Sequence, residues 1–129
     1  MQNYSDQKER STRHTARWRI VIVTDAGREA FGRTADIAVG GAAVYLEVYL
    51  QPQTEGTLML EIPARPDVVA RQVIQTQCRV VYSVHDAKVG RFRSGLQFMQ
   101  MSDEDRKALQ NAFAAYFSHS MALARENDS

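Results

Sequence analysis

Arg13 and Arg17 stand four residues apart just before an apolar run, and Asp36 stands ahead of a Gly40-Gly41 pair. These residue types have chemistry to offer. A guanidinium is a planar fork of donors that grips phosphate oxygens, or the O6/N7 edge of guanine, through two parallel bonds, and its face stacks on a base. A carboxylate accepts two hydrogen bonds side by side, which matches the N1–H and N2–H2 donors on the other guanine edge. Glycines let backbone N–H groups come close to a ligand. Taken singly, the ordinary readings are stronger: surface arginines on a solvated lead-in, and a strand end with an Asx cap and a glycine turn. Taken together, the stretch from Arg10 to Gly41 reads as one anion- and guanine-binding surface whose two ends a small barrel must hold in register.

The bulk properties set the frame for that surface. The chain has 129 residues, 44% of them hydrophobic, enough for one domain whose core needs no staples. A net charge of +1 points away from a long polyanion as partner, so any basic site is local. Cys78 is the only cysteine, which rules out an internal disulfide and suits a reducing cytoplasm. The polar start lacks the apolar run of a signal peptide. Ile20 to Val23 and Ala42 to Leu46 are far shorter than the ~20 apolar residues of a membrane helix. A soluble cytoplasmic protein with no membrane segment is the expectation. His14, His85 and His119 are scattered and give no metal-ligand spacing. No nucleophile–base pair or carboxylate pair is visible, so no enzyme activity, catalytic residue, metal or cofactor is expected.

Pattern then predicts the elements. Residues 1–9 carry no periodicity and read as a flexible tail. Trp18 to Thr24 is β-branched and aromatic, hence a strand; Asp25-Ala26-Gly27 is a turn signal, and Glu29 to Ile37 returns as a hairpin with Gly32 as a bulge or close-approach point. Ala42 to Val48, Thr57 to Ile62, Val69 to Val84 and Arg91 to Met99 alternate with the period of a half-buried strand. In the long strand, Ile74, Thr76, Cys78, Val80, Tyr82 and Val84 share the inward face. Ser102 and three following carboxylates open a helix that carries Leu109, Ala112, Phe113, Tyr116 and Phe117 at helical spacing and ends near residue 122. Residues 10–122 thus form one unit and 123–129 a frayed end. Six strands followed by one helix, with no helix between strands, predict a mainly all-β fold: a six-stranded antiparallel β-barrel with a C-terminal α-helix packed on it.

The ordered set of motifs resembles the PilZ domain family, whose signatures are Arg-x-x-x-Arg and Asp/Asn-x-Ser-x-x-Gly. Arg13 and Arg17 match the first; Asp36, Ala38 and Gly41 match the second. Cys78-Arg79-Val80-Val81-Tyr82 looks like the family's late strand. Gly95-Leu96-Gln97-Phe98 and then Met101 to Arg106 look like its exit into the terminal helix, so the likeness runs from about Arg10 to Phe117. It implies a bacterial receptor for the second messenger cyclic di-GMP that passes ligand state to a protein partner in motility, biofilm, exopolysaccharide or virulence control. Arg13 and Arg17 would hold phosphates and the guanine Hoogsteen edge, Asp36 the other edge, and Gly41 with Gly40 would give the backbone room. Arg10 and Trp18 are secondary candidates for stacking, although Trp18 reads first as a core or rim residue. Binding is expected to order the tail against the barrel.

Ala38 departs from the family's serine, a loss of one neutral hydrogen bond worth ~1 kcal/mol, or about fivefold in affinity. That departure leaves room for the alternative of a PilZ-like protein-interaction module that binds no nucleotide. A barrel for single-stranded nucleic acid ranks below both, because such barrels need a basic groove with exposed stacking aromatics. Oligomeric state, a homodimer included, is left open by the sequence.

Overall fold

Among the described residues the chain forms seven antiparallel strands and one helix: β1 (His14–Thr15), β2 (Arg19–Thr24), β3 (Glu29–Ala38), β4 (Gly41–Leu46), β5 (Glu55–Ile62), β6 (Gln72–Asp86), β7 (Arg91–Phe98) and α1 (Asp103–Asp128). The computed structural model describes residues 12–64 and 71–128, with side chains as far as residue 115. The tail over residues 1–9, Arg10, and the side chains of Tyr116 and Phe117 lie outside the described residues. Strands pair in the order β3-β2-β5-β6-β7-β4, and β4 pairs back onto β3. The result is the six-stranded closed barrel expected, which leaves no strand edge unpaired around its girdle. β1 is a short addition that pairs with the end of β3 through His14↔Ile37 and Thr15↔Asp36. No helix is long and apolar enough to cross a membrane among the described residues.

Inward-facing residues fill the barrel as the period of two requires. Ile20 and Ile22 of β2, Leu58, Leu60 and Ile62 of β5, and Ile74, Cys78 and Val80 of β6 are all buried in one cluster. Each large apolar side chain buried in this way contributes about 1.5–3 kcal/mol. Helix α1 closes one end by inserting Leu109, Ala112 and Phe113. Its start is capped as the sequence indicates: Ser102 Oγ accepts a bond from the Asp105 amide at 3.1 Å. It continues to Asp128, past the end expected near residue 122. Met121 to Glu126 are strong helix formers uninterrupted by Gly or Pro, so nothing local stops the helix there.

Two bulges depart from strict alternation. In β3 the pairing with β4 slips between Thr34 and Asp36. Thr34 is buried, and without the extra residue Asp36 would face inward beside it; the bulge at Ala35 turns Asp36 outward. In β6 the pairing with β7 slips between Val80 and Tyr82. Tyr82 and Val84, expected inward, are therefore 39% and 58% exposed. Val80-Val81-Tyr82 is apolar in either phase, so its composition gives no sign of the inserted residue.

Thr34 ties the chain ahead of β2 to the barrel. Its buried hydroxyl accepts from the Trp18 amide at 2.9 Å and donates to the Ala16 carbonyl. Thr34→Val keeps the volume but leaves both backbone groups unpaired, so it is expected to cost roughly 1–3 kcal/mol, read as a lower chemical-denaturation midpoint. An unchanged midpoint would contradict this role.

Cys78 is buried in the core, and burial, with the charge of Asp25 adding to it, pushes its thiol up from 9.0 to about 11. The folded state holds this proton more tightly than the unfolded chain. The associated stability is therefore complete below pH 9.0 and lost as pH rises through about 11. Iodoacetamide at about pH 8 is expected to spare Cys78 in the native protein and modify it in denaturant; rapid native labelling would count against an enclosed thiol.

Candidate functional site

Small residues hollow the outer face of the barrel where β3, β4, β7 and β6 run side by side. One cross-strand row reads Asp36, Ala43, Gly95, Tyr82. Ala43 and Gly95 make a low floor, Asp36 bounds one end and Tyr82 the other. The Tyr82 ring lies over Gly95 so closely that a Cβ there would meet it at 2.2 Å. The neighbouring row on the same face contributes Tyr45 and Arg93. Both bulges border this trough. The one at Ala35 presents Asp36 and the one at Val81 presents Tyr82, so the two breaks in alternation furnish its end walls.

The trough, a pocket of about 340 Å³, is lined by Arg13, Asp36, Ala43, Tyr82, Arg93 and Gly95. Beyond Arg13 it adjoins a second hollow of about 490 Å³ that includes Gly40, Gly41, Val81, Met99 and Arg106. These are volumes typical of small-molecule sites. Asp36 is the electrostatic centre: its Oδ1 lies 2.5 Å from Arg13 Nη1 and its Oδ2 3.6 Å from Arg93 Nη2. Arg93 also donates to the Tyr45 hydroxyl at 3.1 Å, and its guanidinium carbon stands 5.5 Å from the Tyr45 ring centroid. Tyr45 in turn donates to Asp86 Oδ2 at 3.4 Å. The bond to Tyr45 holds the Arg93 charge yet more firmly than usual, so Arg93 is a fixed cation on a rigid strand. Arg13 is different. It rides on the short strap of β1, whose His14 ring stacks on Phe113 of α1 at 4.3 Å. Its pair with Asp36 is solvent-exposed, and such pairs contribute no more than about 1 kcal/mol. A phosphate arriving at this point can take Arg13 at little cost, freeing Asp36 to accept from a purine edge.

The structure brings Arg13, Asp36, Gly40 and Gly41 together and leaves the other expected site residues apart from them. Arg17 lines a different groove, between β2, β3 and β4. Four-residue spacing would align it with Arg13 on an unbroken strand, but β1 ends at Thr15 and the chain then buries Ala16 and Trp18, which carries Arg17 into the neighbouring groove past Tyr45. Ala38 is 1% exposed, so its methyl does not face the trough. Trp18 is buried, its ring 6.3 Å from that of Phe113, and belongs to the core. Gly41 owes its identity to packing, since a Cβ there would lie 2.3 Å from the Leu96 carbonyl oxygen. Among the described residues no three His, Cys, Asp or Glu side chains gather as a metal site. Sequence reasoning missed Arg93, Tyr45 and Tyr82. Their signal is cross-strand register, which pairs residues far apart in the chain.

This barrel, with an arginine-bearing strap laid across its outer face, defines a class. The PilZ domain model matches residues 7–115, and the chain belongs to the PilZ domain family. Among solved structures it is similar to the Bacillus subtilis inhibitor of motility, MotI/DgrA, with a TM-score of 0.68 and 21% identity over 82% of this chain and 50% of that one. It is similar to Escherichia coli YcgR in complex with c-di-GMP, with a TM-score of 0.72 and 14% identity over 89% of this chain and 48% of that one. The separate PilZ domain of YcgR with c-di-GMP gives 0.62 and 16% identity, covering 88% of this chain and 95% of that one. At these identities the likeness is one of fold. The chain spans about half the length of MotI/DgrA and of full YcgR. No curated protein matches it at comparable significance.

Proposed function

We propose that the chain is a cyclic di-GMP receptor module that couples second-messenger level to a protein partner and performs no catalysis itself. The observation that carries this reading is the Asp36 carboxylate between Arg13 and Arg93 at the end of a floor built from Ala43 and Gly95. Arg13 and Arg93 supply donors for phosphate, Asp36 accepts the paired donors of guanine, and Tyr82 offers a ring edge or face to the base. Membership of the PilZ family and the cyclic di-GMP in the YcgR structures point to the same ligand. Arg17 reaches the dinucleotide by a shift of the strap, which ligand would then hold against the barrel, in a cytoplasmic protein whose partner acts in motility or surface-polysaccharide control. The unit responsible is residues 10–122.

Calorimetry with cyclic di-GMP tests this. Wild type is expected to bind saturably, and Arg13→Ala/Arg17→Ala to lose binding. A second reading, a PilZ module that recognises only protein, draws on the buried Ala38 and on Arg17 lining a separate groove. It is the one left standing if neither protein gives heat.

A further inference from the structure

Arg19 of β2 and Arg33 of β3 are direct cross-strand partners on the outer face of the barrel. Like charges placed opposite each other weaken a sheet. Among the described residues neither guanidinium has a carboxylate within ion-pair distance. Arg17 and Arg91 join them around a groove of about 490 Å³, against Glu47 as its one carboxylate among the described residues. The net charge of the chain is only +1, so this is a concentration of cations that the fold does not need. Phe31 and Val89, both in the groove, are 51% and 49% exposed. The groove continues past Arg17, Arg19 and Arg33 into a smaller hollow that ends at Pro63 and Arg71, where Arg71 is paired with Glu61 at 3.1 Å.

We infer that this groove docks an acidic segment of a partner protein, with carboxylates on Arg19 and Arg33 and an apolar side chain laid on Phe31. Guanidinium forks match carboxylates, and an exposed aromatic beside arginines is the usual make-up of an interface anchor. A run of phosphates fits the track less well: Glu47 and Glu61 interrupt the positive potential, and a peptide can place neutral residues opposite them where a nucleic-acid backbone cannot. The groove stands independently of the dinucleotide reading. One consequence does rest on that reading: Arg17 lines the groove here, so a dinucleotide that recruits Arg17 withdraws a cation from the peptide and weakens its binding.

The test is selection of random-sequence peptides displayed on phage against the whole protein, followed by fluorescence anisotropy of the winners. Expected are peptides rich in Asp and Glu next to an aromatic residue, with affinity that falls as salt rises. Arg19→Gln/Arg33→Gln is expected to weaken them roughly tenfold or more while melting no lower than wild type, because it removes a like-charge pair. Phe31→Ala is expected to weaken them severalfold. Winners without acidic residues, equal binding by the Gln variant, or stoichiometric displacement by pyrophosphate or an oligonucleotide would each overturn the proposal. Cyclic di-GMP titrated into the same Gln variant keeps the two claims apart. Its binding there is expected to match wild type, and absence of dinucleotide binding in both proteins would refute the receptor reading while leaving the peptide result intact.

Discussion

Asp36→Ala is expected to weaken cyclic di-GMP binding by at least about a hundredfold with little change in fold. Two effects act in the same direction. The substitution deletes an acceptor for two adjacent guanine donors, and hydrogen bonds to a charged group contribute roughly 1.5–3 kcal/mol each; tenfold in affinity corresponds to about 1.4 kcal/mol. It also removes the carboxylate shared by Arg13 and Arg93, which Asp36 holds at 2.5 and 3.6 Å, so the arginines lose the group that sets their positions before ligand arrives. Stability should scarcely move, because both pairs are solvent-exposed and contribute no more than about 1 kcal/mol. Asp36→Asn retains the shape and one acceptor and should fall between, losing roughly tenfold. Calorimetry beside a thermal melt separates the effects. Binding by Asp36→Ala within about threefold of wild type would remove Asp36 from the site.

Gly41→Ala is expected to be a strongly damaging single-methyl change in the barrel wall near the site. The added Cβ would lie 2.3 Å from the Leu96 carbonyl oxygen and 3.5 Å from the Gln97 Cα. The first contact is with backbone, which no rotamer change relieves. β4 must move away from β7, where Gly41↔Gln97 and Ala42↔Leu96 are paired. Overpacking of a well-packed interior costs typically 1–3 kcal/mol and sometimes more; the upper end, about 3 kcal/mol, corresponds to roughly 10 °C in Tm for a domain of this size. Gly40→Ala is the control, since a Cβ at Gly40 meets nothing within 4 Å. Equal melting of the two variants would show that contact with Leu96 does not decide the identity of residue 41.

These two residues illustrate how much of the molecule was legible in its sequence. The barrel and its helix were, because period-two runs such as Leu58-Met59-Leu60 and the Ser102 cap are local signals that the tertiary structure obeys. Asp36 was recognisable as a candidate from its motif. That it faces out was not, since the answer depends on a bulge at Ala35 formed with β4. Gly41 was legible as a required glycine for the wrong reason: the motif suggested room for a ligand, and the structure shows a neighbouring carbonyl. Tyr82 and Val84 were misplaced because an inserted residue in an apolar run leaves no trace in periodicity. Arg93 was invisible. It stands beside Asp36 only through the register of β7 on β4, a long-range pairing that no spacing rule along the chain encodes. The separation of Arg17 from Arg13 has the same origin, because burial of Ala16 and Trp18 breaks the strand whose spacing would have aligned them.

The most direct measurement follows backbone amide shifts by NMR while cyclic di-GMP is titrated into the intact chain. The expected perturbations gather on three stretches remote in sequence: Arg13 to Arg17, Asp36 to Gly41, and β7 around Arg93 and Gly95, with Tyr82 moving alongside them. Saturation with shifts confined elsewhere on the barrel, or no shifts at all, would contradict the assignment of the trough at Asp36 as the dinucleotide site.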